Sequence, residues 1–200
     1  MEHRLRPGDR APDLELLNQD GEARSLAQLH GRSVIIYFFP KAFTPGCTTE
    51  VCDFRDNKAA LAGAGHAVLG VSADPPSVLR EFADAHQVNH DLLSGPDHES
   101  ARRWGAWGTK EISGQLTGPL RSTFVVDEAG QLESVEYNLD AAGHVAELRD
   151  RLGLTGSPGT ASTPHPSSIR SRTGFSCSAE SSPAPLSHVG SLSRKESKPT

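Results

Sequence analysis

Six apolar residues in a row, Val34 to Phe39, end abruptly at Pro40. A short polar turn then leads to Cys47, and a second cysteine, Cys52, follows five positions later. A continuous apolar run of strand length fits a strand covered on both faces. Thr48 to Ala62 reads as a helix, so Cys47 stands where that helix begins. Such a strand needs layers above and below its sheet, and the alternation of strand and helix patterns that follows suggests an α/β fold, a mixed sheet sandwiched by helices.

The rest of the chain supports that reading up to about residue 154. Leu14 to Leu17 is a strand candidate, with a turn at Asn18-Gln19-Asp20-Gly21. Ser25 to Leu29 predicts a short helix capped by Ser25. Ala67 to Ala73 is a second buried strand. Pro75-Pro76-Ser77 opens a helix through His86, with proline suited to the first turn. Asp91 to Leu93 is a short strand and His98 to Trp104 a short helix. Arg121 to Asp127 and Gln131 to Tyr137 flank Glu128-Ala129-Gly130 as a hairpin. Asp140 to Leu152 closes the domain as a helix, with Gly153 at its end. The expected fold is a central mixed sheet flanked by helices.

From Thr155 the composition changes to Ser, Pro, Thr and Gly without periodicity. Such a segment buries too little apolar surface to offset its ordering entropy. Residues 155–200 are therefore expected to be a disordered tail behind a domain of residues 1–154. Cys177, in that tail, reads as a bystander.

Charge and cysteine count exclude several functions. The formal net charge is −5 and the pI about 6.0, which disfavours nucleic acid or an anionic membrane as partner. No apolar run approaches the roughly eighteen residues of a membrane span. Met1 to Pro7 lacks the apolar core of a secretory signal. Three cysteines in 200 residues are too few for a disulfide-stapled scaffold. The default location is a reducing cytoplasm, where cysteine pairs serve catalysis or metal binding.

At a helix start, unpaired N–H groups and the positive dipole end favour an anion. A thiol placed there loses its proton more readily than the ordinary pKa of roughly 8.5 allows, and the thiolate is the nucleophile. Pro40 and Pro45 stiffen the approach. Thr44 brings a hydroxyl three residues before Cys47. Inert burial is the bland alternative for Cys47, and it explains none of this spacing. Cys52 is either a partner thiol or a small core residue. In an unbroken helix, positions five apart have Cα atoms about 8–9 Å apart, beyond the roughly 7 Å that a disulfide spans. A bond between them requires the first turns to unwind. Glu50 is open to a helix salt bridge or to ordering the turn. Zinc is a weaker reading, because no second ligand pair stands nearby. Trp104 and Trp107 read as packing aromatics near the site rim. The scattered histidines read as surface residues.

Phe39-Pro40 through Cys47 has the form Pro-x-x-x-Thr-x-x-Cys, which resembles the peroxiredoxins. The longer string Tyr37 to Asp56 is similar to the peroxiredoxin Q, or bacterioferritin comigratory protein, subgroup, whose second cysteine has this five-residue offset. The similarity extends over about residues 5–153. It takes in Pro7-Gly8-Asp9-Arg10-Ala11-Pro12-Asp13 and Arg121-Ser122-Thr123-Phe124-Val125-Val126-Asp127.

That resemblance implies a thioredoxin-like fold and a thiol-dependent peroxidase for hydrogen peroxide and organic hydroperoxides. It makes Cys47 the peroxidatic cysteine and Cys52 the resolving one. Pro40 would shield the site, Thr44 would bond the peroxide, and Arg121 would hold the thiolate and polarise the substrate. Without the resemblance, Arg121 reads as a solvated cation. A thioredoxin-type dithiol would recycle the enzyme, with no metal or organic cofactor, in a monomer or weak dimer. The competing functions are a redox sensor using the same thiolate and a thiol–disulfide oxidoreductase, which would want Cys-x-x-Cys.

Overall fold

The computed structural model describes residues 4–111 and 115–154. The expectations for residues 155–200, Cys177 included, lie outside them. The described residues form nine strands and four α-helices. In order they are β1 (Glu15–Asn18), β2 (Ala23–Ser25), β3 (Ser33–Phe38), α1 (Pro45–Gly63), β4 (His66–Ser72), α2 (Pro76–His86), β5 (Asp91–Ser94), α3 (Glu99–Arg103), β6 (Trp107–Glu111), β7 (Gln115–Pro119), β8 (Ser122–Val126), β9 (Leu132–Tyr137) and α4 (His144–Arg151).

Seven strands make one mixed sheet in the order β2-β1-β5-β4-β3-β8-β9. β3 lies inside the sheet, parallel to β4 on one side and antiparallel to β8 on the other. Side chains alternate along a strand, so the two halves of the apolar run serve different layers. Ile35, Tyr37 and Phe39 join Val51, Phe54 and Leu61 of α1, Leu79 and Phe82 of α2, and Val145 and Leu148 of α4. Val34, Ile36 and Phe38 face the other way, against Leu14, Trp104, Phe124 and Leu132. The run is apolar throughout because both faces are covered.

The expected hairpin is present. Gly130, at φ +82°, turns it, and Asp127 Oδ1 accepts from the N–H groups of Ala129 and Gln131 at 2.9 and 2.8 Å. Ser25 caps a 3₁₀ turn, Leu26–Leu29, in a capping box with Gln28. Gly153, at φ +69°, follows α4 as expected. β2 and the separate β6–β7 hairpin were not foreseen. α4 begins at His144 rather than Asp140, because Gly143 takes a left-handed conformation at its N-cap (φ +79°).

Two placements correct the sequence reading. Trp104 is fully buried in the layer opposite α1, so it packs the core rather than rimming Cys47. Trp107 stacks near His98 and under Arg102. His90 and His144 are buried at 6% and 2% exposure, not on the surface. His90 Nε2 lies 2.7 Å from Tyr37 Oη. The Tyr37 ring reaches it by crossing Gly70 of β4, where a Cβ would sit 2.6 Å from the tyrosine oxygen.

Candidate active site

The turn after β3 places the thiol. Phe39 N–H donates to Val71 C=O at 3.0 Å, extending the pairing with β4 by one residue. Ala42 N–H then donates to Asp74 Oδ2 at 2.7 Å. Asp74 is itself held by the Ser72 hydroxyl at 2.6 Å. Phe43 adopts φ +60°, a left-handed conformation uncommon for a bulky side chain. Its ring rests edge-on to Phe82 with centroids 5.0 Å apart. The loop is thus fixed at Asp74 and at Phe43.

α1 starts earlier than the sequence suggested. Thr44 is its N-cap, Pro45 its first residue and Cys47 its third. The first intrahelical bond, Thr48 N–H to Thr44 C=O, is 2.9 Å. The amides of Gly46 and Cys47 precede it and lack an acceptor within the helix. Cys47 is a free thiol, 1% exposed. Thr44 does not cap through its side chain. Its hydroxyl donates to Lys41 C=O at 3.0 Å. Pro40 is half-buried at the end of β3.

Register explains Arg121. Phe38 pairs with Ser122 across the β3–β8 ladder, so Arg121 falls one step beyond, opposite the Phe39-Pro40 turn. Its carbonyl accepts from Leu139 N–H at 3.1 Å. The side chain is buried, not the solvated cation that the residues alone suggested. Nη2 donates to Cys47 Sγ at 3.3 Å, while Nη1 donates to Glu50 Oε2. Burial opposes the guanidinium charge, and Glu50 and Cys47 outweigh it, so its pKa stands above the ordinary arginine value.

Glu50 is fully buried, one turn along α1 from Cys47. A buried carboxylate needs partners, and besides Arg121 it meets His144. The imidazole Nδ1 is 3.2 Å from Glu50 Oε1, and the ring lies edge-on to Phe54. The approach is not aligned for a hydrogen bond. The sequence signal was helical spacing: Cys47, Glu50, Val51 and Phe54 share one inward stripe, and His144 stands four residues before the buried Leu148. Cys52 is also buried in the unbroken α1. The structure therefore links the Cys47 sulfur to Glu50 through Arg121, keeps Thr44 and Pro40 on the adjoining turn, and adds His144 beside Glu50. Among the described residues, no three His, Cys, Asp or Glu side chains are grouped to hold a metal.

A sheet with helices on both faces and a thiol shared between a helix start and an arginine define a cysteine-based oxidoreductase of thioredoxin-like fold. Residues 7–135 match the AhpC/TSA family model. A Mycobacterium tuberculosis peroxiredoxin is 49% identical over 152 residues, covering 76% of this chain and 97% of the relative. Escherichia coli K12 peroxiredoxin Bcp is 41% identical, covering 70% of this chain and 90% of the relative. Among solved structures, Xanthomonas campestris peroxiredoxin Q aligns with a TM-score of 0.66 at 31% identity, covering 71% of this chain and 90% of that one. M. tuberculosis BcpB aligns at 0.67 and 30%, covering 78% and 100%. The chain belongs to the AhpC/TSA family of peroxiredoxins, within the peroxiredoxin Q/Bcp group. It is a thiol peroxidase that acts on peroxides with a thiol reductant.

Proposed function

We propose that Cys47 attacks the terminal oxygen of a hydroperoxide and that Cys52 resolves the product. The Cys47 thiolate displaces along the O–O bond, which breaks. The leaving oxygen takes a proton and departs as water or an alcohol, and Cys47 becomes a sulfenic acid. Arg121 and the first-turn amides stabilise charge moving onto the leaving oxygen. The hydroxyl hydrogen of Thr44 is engaged by Lys41, which leaves its lone pairs to accept the peroxide O–H. Pro40 walls the turn against bulk water. In the reduced protein α1 then unwinds locally, the Cys52 thiol condenses with the sulfenic acid, and water leaves.

A thioredoxin-type dithiol returns both sulfurs to thiols by exchange. The substrates are hydrogen peroxide and organic hydroperoxides. A structure of the X. campestris bacterioferritin comigratory protein, 30% identical to this chain, is described in terms of alkyl peroxide reduction. The enzyme needs no metal or organic cofactor, works as a monomer or weak dimer, and belongs to a reducing cytoplasm. Among the described residues, no helix is long and apolar enough to cross a membrane.

The observation that carries this reading is the 3.3 Å contact from Arg121 Nη2 to Cys47 Sγ at the opening turn of α1. Peroxide-dependent NADPH oxidation through a thioredoxin system tests it. Cys47→Ser is expected to abolish turnover, and full activity in that variant would overturn the assignment. After one equivalent of peroxide, peptide mapping of the initially reduced chain should recover a Cys47–Cys52 crosslink. A crosslink to Cys177 or to another chain instead would remove Cys52 from the resolving role.

A further inference from the structure

Glu50 has two oxygens, and only one is hydrogen-bonded among the described residues. Oε2 takes Arg121 Nη1. Oε1 is fully buried without a hydrogen-bond donor, and the nearest ion-pairing group is His144 Nδ1 at 3.2 Å. His144 is 2% exposed, and both of its ring nitrogens are buried without hydrogen-bond partners. Two unsatisfied polar groups this close in a buried core are costly apart and stabilising once aligned.

The consequence concerns the arginine. A guanidinium prefers to present two parallel N–H groups to one carboxylate. Here it does not: Nη1 serves Glu50 and Nη2 serves the Cys47 sulfur. Were His144 absent, the carboxylate could take both terminal nitrogens, and Nη2 would leave the sulfur. His144 Nδ1, 3.2 Å from Oε1, occupies the space that a second guanidinium N–H would need.

We propose that His144 is a positioning residue for the peroxidase: by holding Glu50 Oε1 it keeps Arg121 divided between the carboxylate and Cys47. The proposal rests on Cys47 being the attacking sulfur. His144 acts through two intervening side chains and touches no substrate. α4 thereby becomes part of the site. It is anchored by Val145 and Leu148 in the core and by Arg149 Nη1, which donates to Asn57 of α1 at 2.9 Å.

The test uses the full chain with Cys52→Ser and Cys177→Ser, so that Cys47 is the one thiol left. The second-order rate of Cys47 oxidation by hydrogen peroxide is read by rapid quench and mass spectrometry. His144→Phe fills the space without a donor, and His144→Gln retains one. His144→Phe should slow oxidation by about tenfold, and His144→Gln should stay within about threefold of the parent. In a Glu50→Gln background, His144→Phe should change the rate by less than about twofold, because the two residues act in series. The proposal falls if His144→Phe is as fast as the parent, if it slows the Glu50→Gln chain equally, or if His144→Gln is as slow as His144→Phe. Urea midpoints check folding, and His144→Met replaces His144→Phe should the latter not fold. A parent whose Cys47 stays unoxidised sinks the Cys47 assignment itself, a result distinct from failure of the histidine alone.

Discussion

At the scale of single residues, Arg121 does something a lysine cannot. Its fixed fork spans Glu50 and the Cys47 sulfur at once. A lysine ammonium is a compact point charge on a flexible stem, and it would settle on the carboxylate. Arg121→Lys should therefore keep the fold and lose about a hundredfold in the rate of Cys47 oxidation by peroxide. Stopped-flow mixing measures this, and a rate within threefold of wild type would show that the fork is dispensable. Cys47, Thr44 and Pro40 were legible because their spacing is local and follows one strand into one helix. Arg121 was legible only through resemblance, since its meaning depends on the β3–β8 register. Glu50 and His144 were harder still. Each looks like an ordinary polar residue until two helices bring them to 3.2 Å.

At the scale of elements, three adjacent strands share a buried polar pair. Tyr37 of β3 passes over Gly70 of β4 to reach His90, just before β5. Burial holds the His90 pKa down to about 3, helped by Lys58 and opposed by Asp91. The folded chain thus keeps this histidine neutral where the unfolded chain, with an ordinary value near 6.5, takes up a proton. The stabilisation is full above pH 6.5 and is lost as pH falls toward 3. Between pH 7 and pH 5 the loss from His90 amounts to about 2 kcal/mol. His90→Gln keeps a polar partner for Tyr37 but cannot titrate there. Urea unfolding should show the wild type losing about 2 kcal/mol more than this variant over that interval, and parallel losses would refute the account. β3, β4 and β8 were readable because each carries its own apolar run, and α2 because Pro75-Pro76 marks its start. β2 and the β6–β7 hairpin were not. Ala23-Arg24-Ser25 has no apolar alternation, and the segment around Gly108 and Gly118 is ordered by its pairing rather than by propensity.

At the scale of the whole molecule, the proposed Cys47–Cys52 cycle asks one element to be rigid and then to yield. α1 supplies the thiol, the carboxylate that anchors Arg121, and the core residues Val51 and Phe54. Cys47 and Cys52 sit five apart on that helix, and its geometry keeps their Cα atoms about 8–9 Å apart while it is intact. Forming the bond must release the segment between them, which takes Glu50 from Arg121 and His144 and lifts Val51 out of the core. Burial of Val51 alone is worth about 1.5–3 kcal/mol, so releasing it takes that much packing from the folded core. The sheet has no such demand placed on it, because β3, β4 and β8 hold each other through ladders that do not involve α1. Amide hydrogen exchange on reduced protein given one equivalent of peroxide should therefore separate the two. Residues 46–54 should lose protection, while β3, β4 and β8 stay protected. Reduction by a dithiol should restore the starting pattern. Unchanged protection across α1 in a protein that carries the Cys47–Cys52 crosslink would mean that the helix accommodates the bond without unwinding, and the coupling between helix opening and sulfur chemistry would have to be abandoned.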